Sequence, residues 1–583
     1  MKGVEHFKAH FNPTPPTDIQ TPPELQNNPK FTQILQEITK NVKIDSSPPT
    51  LIEVHQFLQK LKTNKASCDV PPEFLKYAAD SAQFVDLFHQ MTSEIWRKKK
   101  VPKKFGHGKI EALFKNKGSN KIAKNFRGLN IGSCVGKVVI AIILEKLKLW
   151  YTNQLTYHQC GFRPGMGTTD AIYILKRAMQ ISVRKLEPLY IIFCDLSAAF
   201  DHCVRKWLFK SIRMRFPDQY DMTLIDILED LYSNTTCEME GLNFDTTAGV
   251  RQGGPESPWL YTLFADFVMR CFLERCSKHP EIQFFQHKFK IPSFDVPNQF
   301  ENSSVGEMLL QWLGYADDTA LFLKNAEAVQ LVYDIYESVL TEFFLKVNPT
   351  KTKTQIINFK STPDFTPESE YPTSIIQATN GGVVKDIENI ESMCYLGAEN
   401  DRKDAGTGWT EVMNRIEAAN TTFAINKNLF CNHNLSLGLR VNFLNSLVRS
   451  RLTYGCQNWA LTKAMFDRVD TCYRIMLRKL IRGGFKKDEV LEDGTRMKYH
   501  YKSAGILKIT KAEELSSFVK RQQRNYAAHL ARTSNTRPTK QLMFNVDKYR
   551  KPGNHAPELL QQVVKHSGVT SAEFLNQAAS RKF

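Results

Sequence analysis

The chain has 583 residues, of which 42% are hydrophobic and 11% aromatic, enough to bury sizeable cores in several domains or subdomains and to exclude a disordered chain. Lys and Arg number 78 against 60 Asp and Glu, a formal net charge of +18, which excludes an acidic solvating protein and fits contact with a polyanion through phosphate neutralisation. On its own, that balance suits a ribosomal or membrane-surface protein equally well. The 12 cysteines include no Cys-x-x-Cys pair, which argues against a zinc knuckle or a disulfide framework and for a reducing compartment. No apolar signal core follows Met1, and the longest apolar run, 138–144, is far too short to span a bilayer, so a soluble intracellular protein is expected.

In chain order, residues 1–50 hold a short helix candidate and then Pro13, Pro15, Pro16, Pro22 and Pro23, and read as a linker with little core of its own. From Leu51, apolar residues at Leu51, Val54, Phe57, Leu58 and Leu61 recur at helical spacing, predicting a helical region to about residue 104. Further helices are predicted over 138–149 and 169–183. Leu189–Cys194 is a near-continuous apolar run of the kind buried in a sheet, and it ends at Asp195. Variable insertions are expected near 213–247 and 277–305. Two apolar runs, 308–313 and 319–323, flank Gly314-Tyr315-Ala316-Asp317-Asp318 and read as a β-hairpin. Residues 405–480 read as helical, with Val412, Ile416, Ala419 and Phe423 on one stripe, and 481–583 as basic and mostly helical, broken at Pro552-Gly553. Basic clusters at 97–100 with Lys103 and Lys104, and from Arg478-Lys479 through Arg482 to Lys486-Lys487, are where nucleic-acid backbone contacts are expected; each alone reads as a solvated face.

The chemistry is concentrated in three acids. Asp317 and Asp318 are adjacent in a tight turn, and neighbouring carboxylates repel unless a cation sits on them. Asp195, at the end of a buried strand, is costly to keep ionised without a partner. If that strand lies beside the hairpin, the three converge and present oxygens to hard cations such as Mg²⁺, which shares its ligands with substrate phosphates. Two such ions about 3.5–4 Å apart activate a 3′-hydroxyl and stabilise a leaving pyrophosphate, which is the chemistry of nucleotidyl transfer.

The segment Phe193-Cys194-Asp195-Leu196-Ser197-Ala198-Ala199-Phe200-Asp201 resembles the first catalytic motif of reverse transcriptases, and Tyr315-Ala316-Asp317-Asp318 their Tyr-x-Asp-Asp box. The chain as a whole resembles the reverse transcriptases of non-LTR (LINE-type) retrotransposons. Further similarities follow in order at 125–130, 159–170, 249–258 (Gly-Val-Arg-Gln-Gly-Gly-Pro-Glu-Ser-Pro), 345–353, 395–397 and 454–459 (Tyr-Gly-Cys-Gln-Asn-Trp). The resemblance implies an α+β right-hand polymerase fold: a helical N-terminal extension at 51–104, fingers at 105–185, a palm of antiparallel sheet backed by helices at 186–400, and a helical thumb at 405–480. It implies RNA template, DNA primer or target, and dNTPs as partners, and Mg²⁺, with Mn²⁺ as the alternative, as cofactor. Residues 1–50 have no room for an endonuclease and no cysteine follows Cys472, so nicking is expected from another segment or protein, and the location from nucleus and cytoplasm.

By the same resemblance Asp195 and Asp317 are metal ligands with Asp318 alongside. Phe200 falls where these enzymes place a ring beneath the incoming sugar, excluding a 2′-hydroxyl; a plain core aromatic is the other reading. Gln252 sits in a Gly-flanked turn near the nucleotide, where glycines permit close approach, although Gly-Gly-Pro also punctuates ordinary loops. Lys115 and Arg127 match triphosphate-contacting positions. Lys351 or Lys353 is placed to protonate pyrophosphate. Arg163, Ser257, Pro258 and Tyr315 are assigned to the template-primer. Three departures stand out: Glu256 replaces an apolar residue and puts an acid near the template or nucleotide, Met166 replaces a common Arg, and Ser67-Cys68-Asp69-Val70-Pro71-Pro72 departs from the usual Gly-Pro-Asp-Gly spelling. Two readings follow, an active polymerase or a catalytically idle, domesticated nucleic-acid-binding relic. A group II intron maturase or a telomerase subunit is disfavoured by the 454–459 segment and the Ala-Ala-Phe-Asp spelling.

Overall fold

All six residues of Leu189–Cys194 are buried, and this strand is an inner member of the central sheet. The structure is a computed structural model that describes residues 2–13, 20–26, 28–38, 42–291, 304–359, 370–380, 383–405, 408–481, 485–490, 496–535, 537–544 and 559–579. In chain order its strands include β1 (His107–Phe114), β2 (Phe126–Gly132), β3 (Leu189–Cys194), β4 (Thr235–Met239), β5 (Leu242–Thr246), β6 (Phe285–Ile291), β7 (Ser304–Leu310), β8 (Trp312–Tyr315), β9 (Asp318–Leu323) and β10 (Lys353–Ile357). The central sheet is antiparallel in the order β10-β3-β9-β8, and a second sheet runs β2-β1-β4-β5, with β1 and β4 parallel. The chain is thus a mixed helix-and-sheet protein.

Successive residues of a strand face opposite sides of its sheet. Tyr190, Ile192, Cys194, Leu321 and Leu323 pack with the helices Cys134–Gln154, Ser257–Cys276 and Ala328–Glu342. Leu189, Ile191, Phe193, Ala320 and Phe322 pack on the other side with the helix Thr168–Lys185 and with the C-terminal helices Leu515–Ala531 and Leu559–Ser567. Two covered faces explain why the β3 and β9 sequences are continuously apolar instead of alternating. Each fully buried Leu, Ile or Phe contributes about 1.5–3 kcal/mol, and this stiff platform is where the acids sit.

The structure departs from two expectations and adds one contact. The described parts of residues 1–50 contribute to cores, beyond what was expected of a linker. The helix Lys2–Phe11 lays Val4, Phe7 and Phe11 on Ile110, Cys237, Met239 and Phe244 of the second sheet. Pro23–Leu25 and the helix Pro29–Glu37 put Leu25, Phe31 and Leu35 into the main core, and Glu24 pairs with Arg275 at 2.9 Å. Prolines start these turns because the first helical position needs no N–H; Pro15 and Pro16 lie outside the described residues. The segment 213–247 is no insertion, since its β4 pairs with β1 and completes the second sheet. The C-terminal helices share the core of the central sheet.

The helices expected at 138–149 and 169–183 are Cys134–Gln154 and Thr168–Lys185. In Trp409–Ile425, Val412, Ala419 and Phe423 are buried and Ile416 packs against them. Part of 277–305, Arg482 and Pro552-Gly553 lie outside the described residues. The cysteines are free, and all but Cys68, Cys394 and Cys431 are buried. Among the described residues no helix is long and apolar enough to cross a membrane.

Candidate active site

β3 and β9 are antiparallel neighbours, and Cys194 pairs with Thr319, which brings Asp195 level with the start of β9. Tyr315 pairs with Asp318, so the hairpin turns on two residues, Ala316 and Asp317. Ala316 takes φ +62°, a left-handed value that two-residue hairpin turns favour and that costs a residue with a Cβ roughly 1–2 kcal/mol. Gln159, fully buried, holds it there. Its Oε1 accepts from the Ala316 N–H at 3.0 Å and the Gly161 N–H at 3.0 Å, and its Nε2 donates to the Ala316 carbonyl at 3.3 Å. The flanking backbone runs beside β8, Cys160 N–H donating to Gly314 O at 2.8 Å and Gly314 N–H to His158 O at 2.9 Å. At Gly161 a Cβ would strike the Tyr315–Ala316 backbone.

The three acids share one electrostatic environment. Burial pushes the Asp317 carboxyl up, and the charge of Asp195 adds to this against the opposing Lys351 and Arg127. Asp318 reaches solvent at the rim, yet the protein beneath it and then the charges of Asp317 and Asp195 raise it to about 6. Burial is the larger cause in both, and the like charges of the neighbouring acids add to it. Beneath them lies Tyr261, whose buried hydroxyl has no hydrogen-bond partner and is pushed well up by burial and by Asp317.

Asp195 is paired with Lys351, whose Nζ donates to its two oxygens at 3.0 and 3.2 Å. The partner is delivered by 346–352: Asn348 N–H donates to Asp195 O at 2.8 Å, Ser197 N–H to Lys346 O at 2.8 Å, and Asp195 N–H to Thr352 Oγ1 at 3.3 Å. Lys353 instead pairs with Glu388 at 2.8 Å, so of the two lysines it is Lys351 that faces the acids. Among the described residues no group of three or more His, Cys, Asp or Glu side chains is set to hold a metal ion. The carboxylate chemistry of Asp195 and Asp317 still fits Mg²⁺, which is commonly bound by one or two carboxylates plus substrate phosphates, and in this structure the Lys351 ammonium supplies the positive charge at Asp195.

Phe200 and Gln252 are brought together beside these acids. Val250 N–H donates to Phe200 O at 2.8 Å and Gly249 N–H to Cys203 O at 2.9 Å, so the 249–252 loop runs along 200–203. Phe200 is half-buried and stacks on Tyr261, centroids 4.1 Å apart. The Gln252 Nε2 donates to both oxygens of buried Asp201, at 2.7 and 2.8 Å, and the Gln252 carbonyl accepts from Asn130 N–H at 2.7 Å. Next in the chain, Gly253 (φ +120°) crosses the Asn130 carbonyl where no Cβ fits.

Lys115 and Arg127 are exposed near the end of the β1–β2 hairpin, where Leu113 pairs with Arg127. The Lys115 ammonium donates to Lys124 O at 2.8 Å. It is pushed down by burial first and then by Arg127 and Lys351, with Asp201 opposing. Lys115, Arg127 and Lys351 therefore form one cationic neighbourhood facing the acids.

Two of the expected template contacts are turned inward. Arg163 is buried, donates to Thr156 O at 2.6 Å and lies 4.5 Å over the Tyr157 ring. Ser257 is buried, its hydroxyl 3.1 Å from the Tyr232 hydroxyl. Their polar groups are spent inside the protein, because a buried donor must find its partner there. Pro258 is partly exposed in the first turn of Ser257–Cys276, and Tyr315 is half-buried with its ring tilted against Phe162 at 6.2 Å. Glu256 does not face a substrate either. It is fully buried and takes Arg251 at 2.9 and 3.1 Å and the Tyr232 hydroxyl at 2.9 Å. Burial would lower the Arg251 guanidinium, but Glu256 and Tyr232 hold it above its ordinary value.

Sequence reasoning assigned no role to Gln159, Asp201, Tyr261 or His10, the last within 2.8 Å of Asp201. The usable signals were Asp201, a second acid six residues after Asp195, and Gln159, which opens the 159–170 segment.

Residues 114–399 match the family described as reverse transcriptase (RNA-dependent DNA polymerase). Residues 114–399 thus carry a reverse transcriptase domain. The domain's matched stretch holds Asp195, Asp317, Asp318, Lys351, Phe200 and Gln252. The chain is 22% identical over 450 residues to the RNA-directed DNA polymerase from mobile element jockey of Drosophila melanogaster, covering 75% of this chain and 44% of that protein. It is 22% identical over 238 residues to the retrovirus-related Pol polyprotein from type-2 retrotransposable element R2DM of the same organism, covering 40% of this chain and 20% of that protein. The reverse transcriptase domain thus sits in a chain that spans less than half the length of either relative.

Proposed function

We propose that the chain is an RNA-directed DNA polymerase of a non-LTR retrotransposon, extending a DNA primer 3′-hydroxyl along an RNA template with dNTPs. The observation that carries this reading is the convergence of Asp195, Asp317 and Asp318, the last two with raised carboxyls, beside a cationic neighbourhood inside the reverse transcriptase domain. In this reading 186–400 is the palm around the central sheet. The fingers are 105–185 joined by the β4–β5 hairpin, and 405–480 is the thumb. The segment 51–104 is the N-terminal extension, and 481–583 is a basic region that supports the palm.

Asp195 and Asp317, with Asp318 alongside, would hold a divalent cation, Mg²⁺ or alternatively Mn²⁺, which when bound activates the 3′-hydroxyl and stabilises the leaving pyrophosphate. Lys115, Arg127 and Lys351 neutralise the triphosphate, and Lys351, freed from Asp195, is placed to give a proton to pyrophosphate. Phe200, backed by Tyr261, forms the floor under the sugar and leaves no room for a 2′-hydroxyl. Gln252, oriented by Asp201, borders the nucleotide. Tyr315 and Pro258 remain the template-primer contacts. Nicking of a target would come from another segment or protein, and no membrane takes part.

The test is primer extension on an RNA template with dNTPs and Mg²⁺, beside an Asp317→Ala/Asp318→Ala control. Extension that the double substitution abolishes supports the reading. Salt-sensitive RNA binding without extension would replace it with a nucleic-acid-binding relic.

A further inference from the structure

The helix Lys2–Phe11 sits over the second sheet in a fixed rotation. Phe7 and Phe11 lie against Gly128 of β2, where a Cβ would meet both rings at 2.9–3.0 Å. The end of the helix is stapled to β5: the Asn12 side chain accepts from the Thr247 N–H and hydroxyl, both at 3.0 Å, and donates to the Asp245 carbonyl at 2.8 Å. This leaves His10 aimed at Asp201, with Nε2 2.8 Å from Oδ2, across 191 positions of sequence. The histidine rings of His6 and His202 lie 5.9 and 5.7 Å from that of His10.

Asp201 is buried, with its two oxygens taken by Gln252 and by His10. An ionised carboxylate only accepts. It therefore orders the Gln252 amide with its NH₂ toward Asp201. Removing His10 leaves the buried Oδ2 short of a partner, so the placement of Asp201, and with it that of Gln252, depends on His10.

We propose that His10 is a positioning residue for Gln252, acting through Asp201, and that the N-terminal helix is thereby part of the dNTP site; this rests on the polymerase reading above. The helix ends at Phe11 and the family match begins at residue 114, so the site extends beyond the domain that the comparison delimits.

The experiment uses the full chain as wild type, His10→Ala and His10→Gln, with two readouts. In single-nucleotide incorporation, His10→Ala should raise the KM for dNTP roughly tenfold with kcat within about twofold, as expected when a hydrogen bond to a charged group is lost from binding alone. His10→Gln, which keeps a donor of similar reach, should restore most of that loss. In hydrogen–deuterium exchange, amides of 249–254 should exchange faster in His10→Ala than in wild type. Unchanged KM with unchanged exchange overturns the proposal. So does a parallel fall of kcat and thermal stability that His10→Gln does not rescue, which is what a merely structural role would give. If wild type does not extend primers, the polymerase reading falls and the exchange readout decides: faster exchange at 249–254 keeps the His10–Gln252 coupling, and unchanged exchange removes it.

Discussion

The side chain of Gln159 satisfies both backbone polar groups of Ala316, accepting from its N–H at 3.0 Å and donating to its carbonyl at 3.3 Å. Ala316 is the left-handed residue that aims Asp317 and Asp318, so a neutral amide 157 positions upstream sets the direction of two acids without touching either.

Gln159→Ala should therefore lower incorporation more than binding. It leaves the Ala316 N–H buried and unpaired, a cost of about 1–3 kcal/mol, and releases a turn that already carries backbone strain. We expect kcat to fall roughly 10- to 100-fold, with KM for dNTP changed much less, in single-turnover kinetics. Gln159→Glu keeps the acceptors but loses the donor to Ala316 O and buries a charge beside Asp317, and should be worse.

The raised Asp318 carboxyl gives a pH dependence with a definite sign. Held at about 6 against an ordinary 3.8, it is protonated below pH 6 and takes no cation in that form. The folded state then keeps this proton more tightly than the unfolded chain, so ionising Asp318 costs stability as pH rises through 4–6, and a bound cation reverses that cost. Without Mg²⁺, Tm should fall as pH rises through 4–6, and Mg²⁺ should raise Tm more at pH 7.5 than at pH 5. Thermal melts check both, and Asp318→Asn should remove the metal-free fall.

Glu256 is predicted to be structural. Glu256→Leu restores the apolar residue usual at this place but leaves the Arg251 guanidinium buried without its acid, and removing one partner of a buried pair costs about 3–5 kcal/mol. The Arg251→Met/Glu256→Leu double variant should recover most of the lost Tm. Melts of the two single variants and the double variant would show this as a strong coupling; additive losses would contradict it.

Phe200 is predicted to set sugar choice. Phe200→Ala opens the floor over Tyr261, and the dNTP-over-rNTP preference in kcat/KM should fall by about tenfold or more, the kind of discrimination that steric contacts supply. Phe200→Tyr should retain it. The stability change should be modest, about 1 kcal/mol for a lost aromatic pair at a half-buried position, so melts separate the two effects.

Much of the architecture around the acids was legible because it is local. The unbroken apolar run of 189–194 announced a strand covered on both faces, its last residue placed Asp195 at the sheet's rim, and the two-residue turn within 314–318 placed Asp317 and Asp318 at the tip of a hairpin. Motif order supplied the neighbours Phe200 and Gln252. These signals survive in a sequence because strand periodicity and turn chemistry span only a few residues.

The rest was decided by contacts between distant segments. Lys351 and Lys353 are equivalent basic residues on paper; pairing of 346–352 with 195–197 turns Lys351 to Asp195, while Lys353 pairs with Glu388. Glu256 reads as an acid facing substrate until Arg251 and Tyr232 are seen to enclose it. Arg163 and Ser257 read as template contacts until their partners prove to be internal. A proline-rich opening reads as a linker because its few apolar residues make no core alone, yet Phe7, Phe11, Phe31 and Leu35 complete cores that other segments supply. The sequence by itself singled out the acids and their neighbours as candidates; the tertiary structure decided which of them lie together and which turn inward, because burial and the pairing of polar groups belong to the whole packed chain.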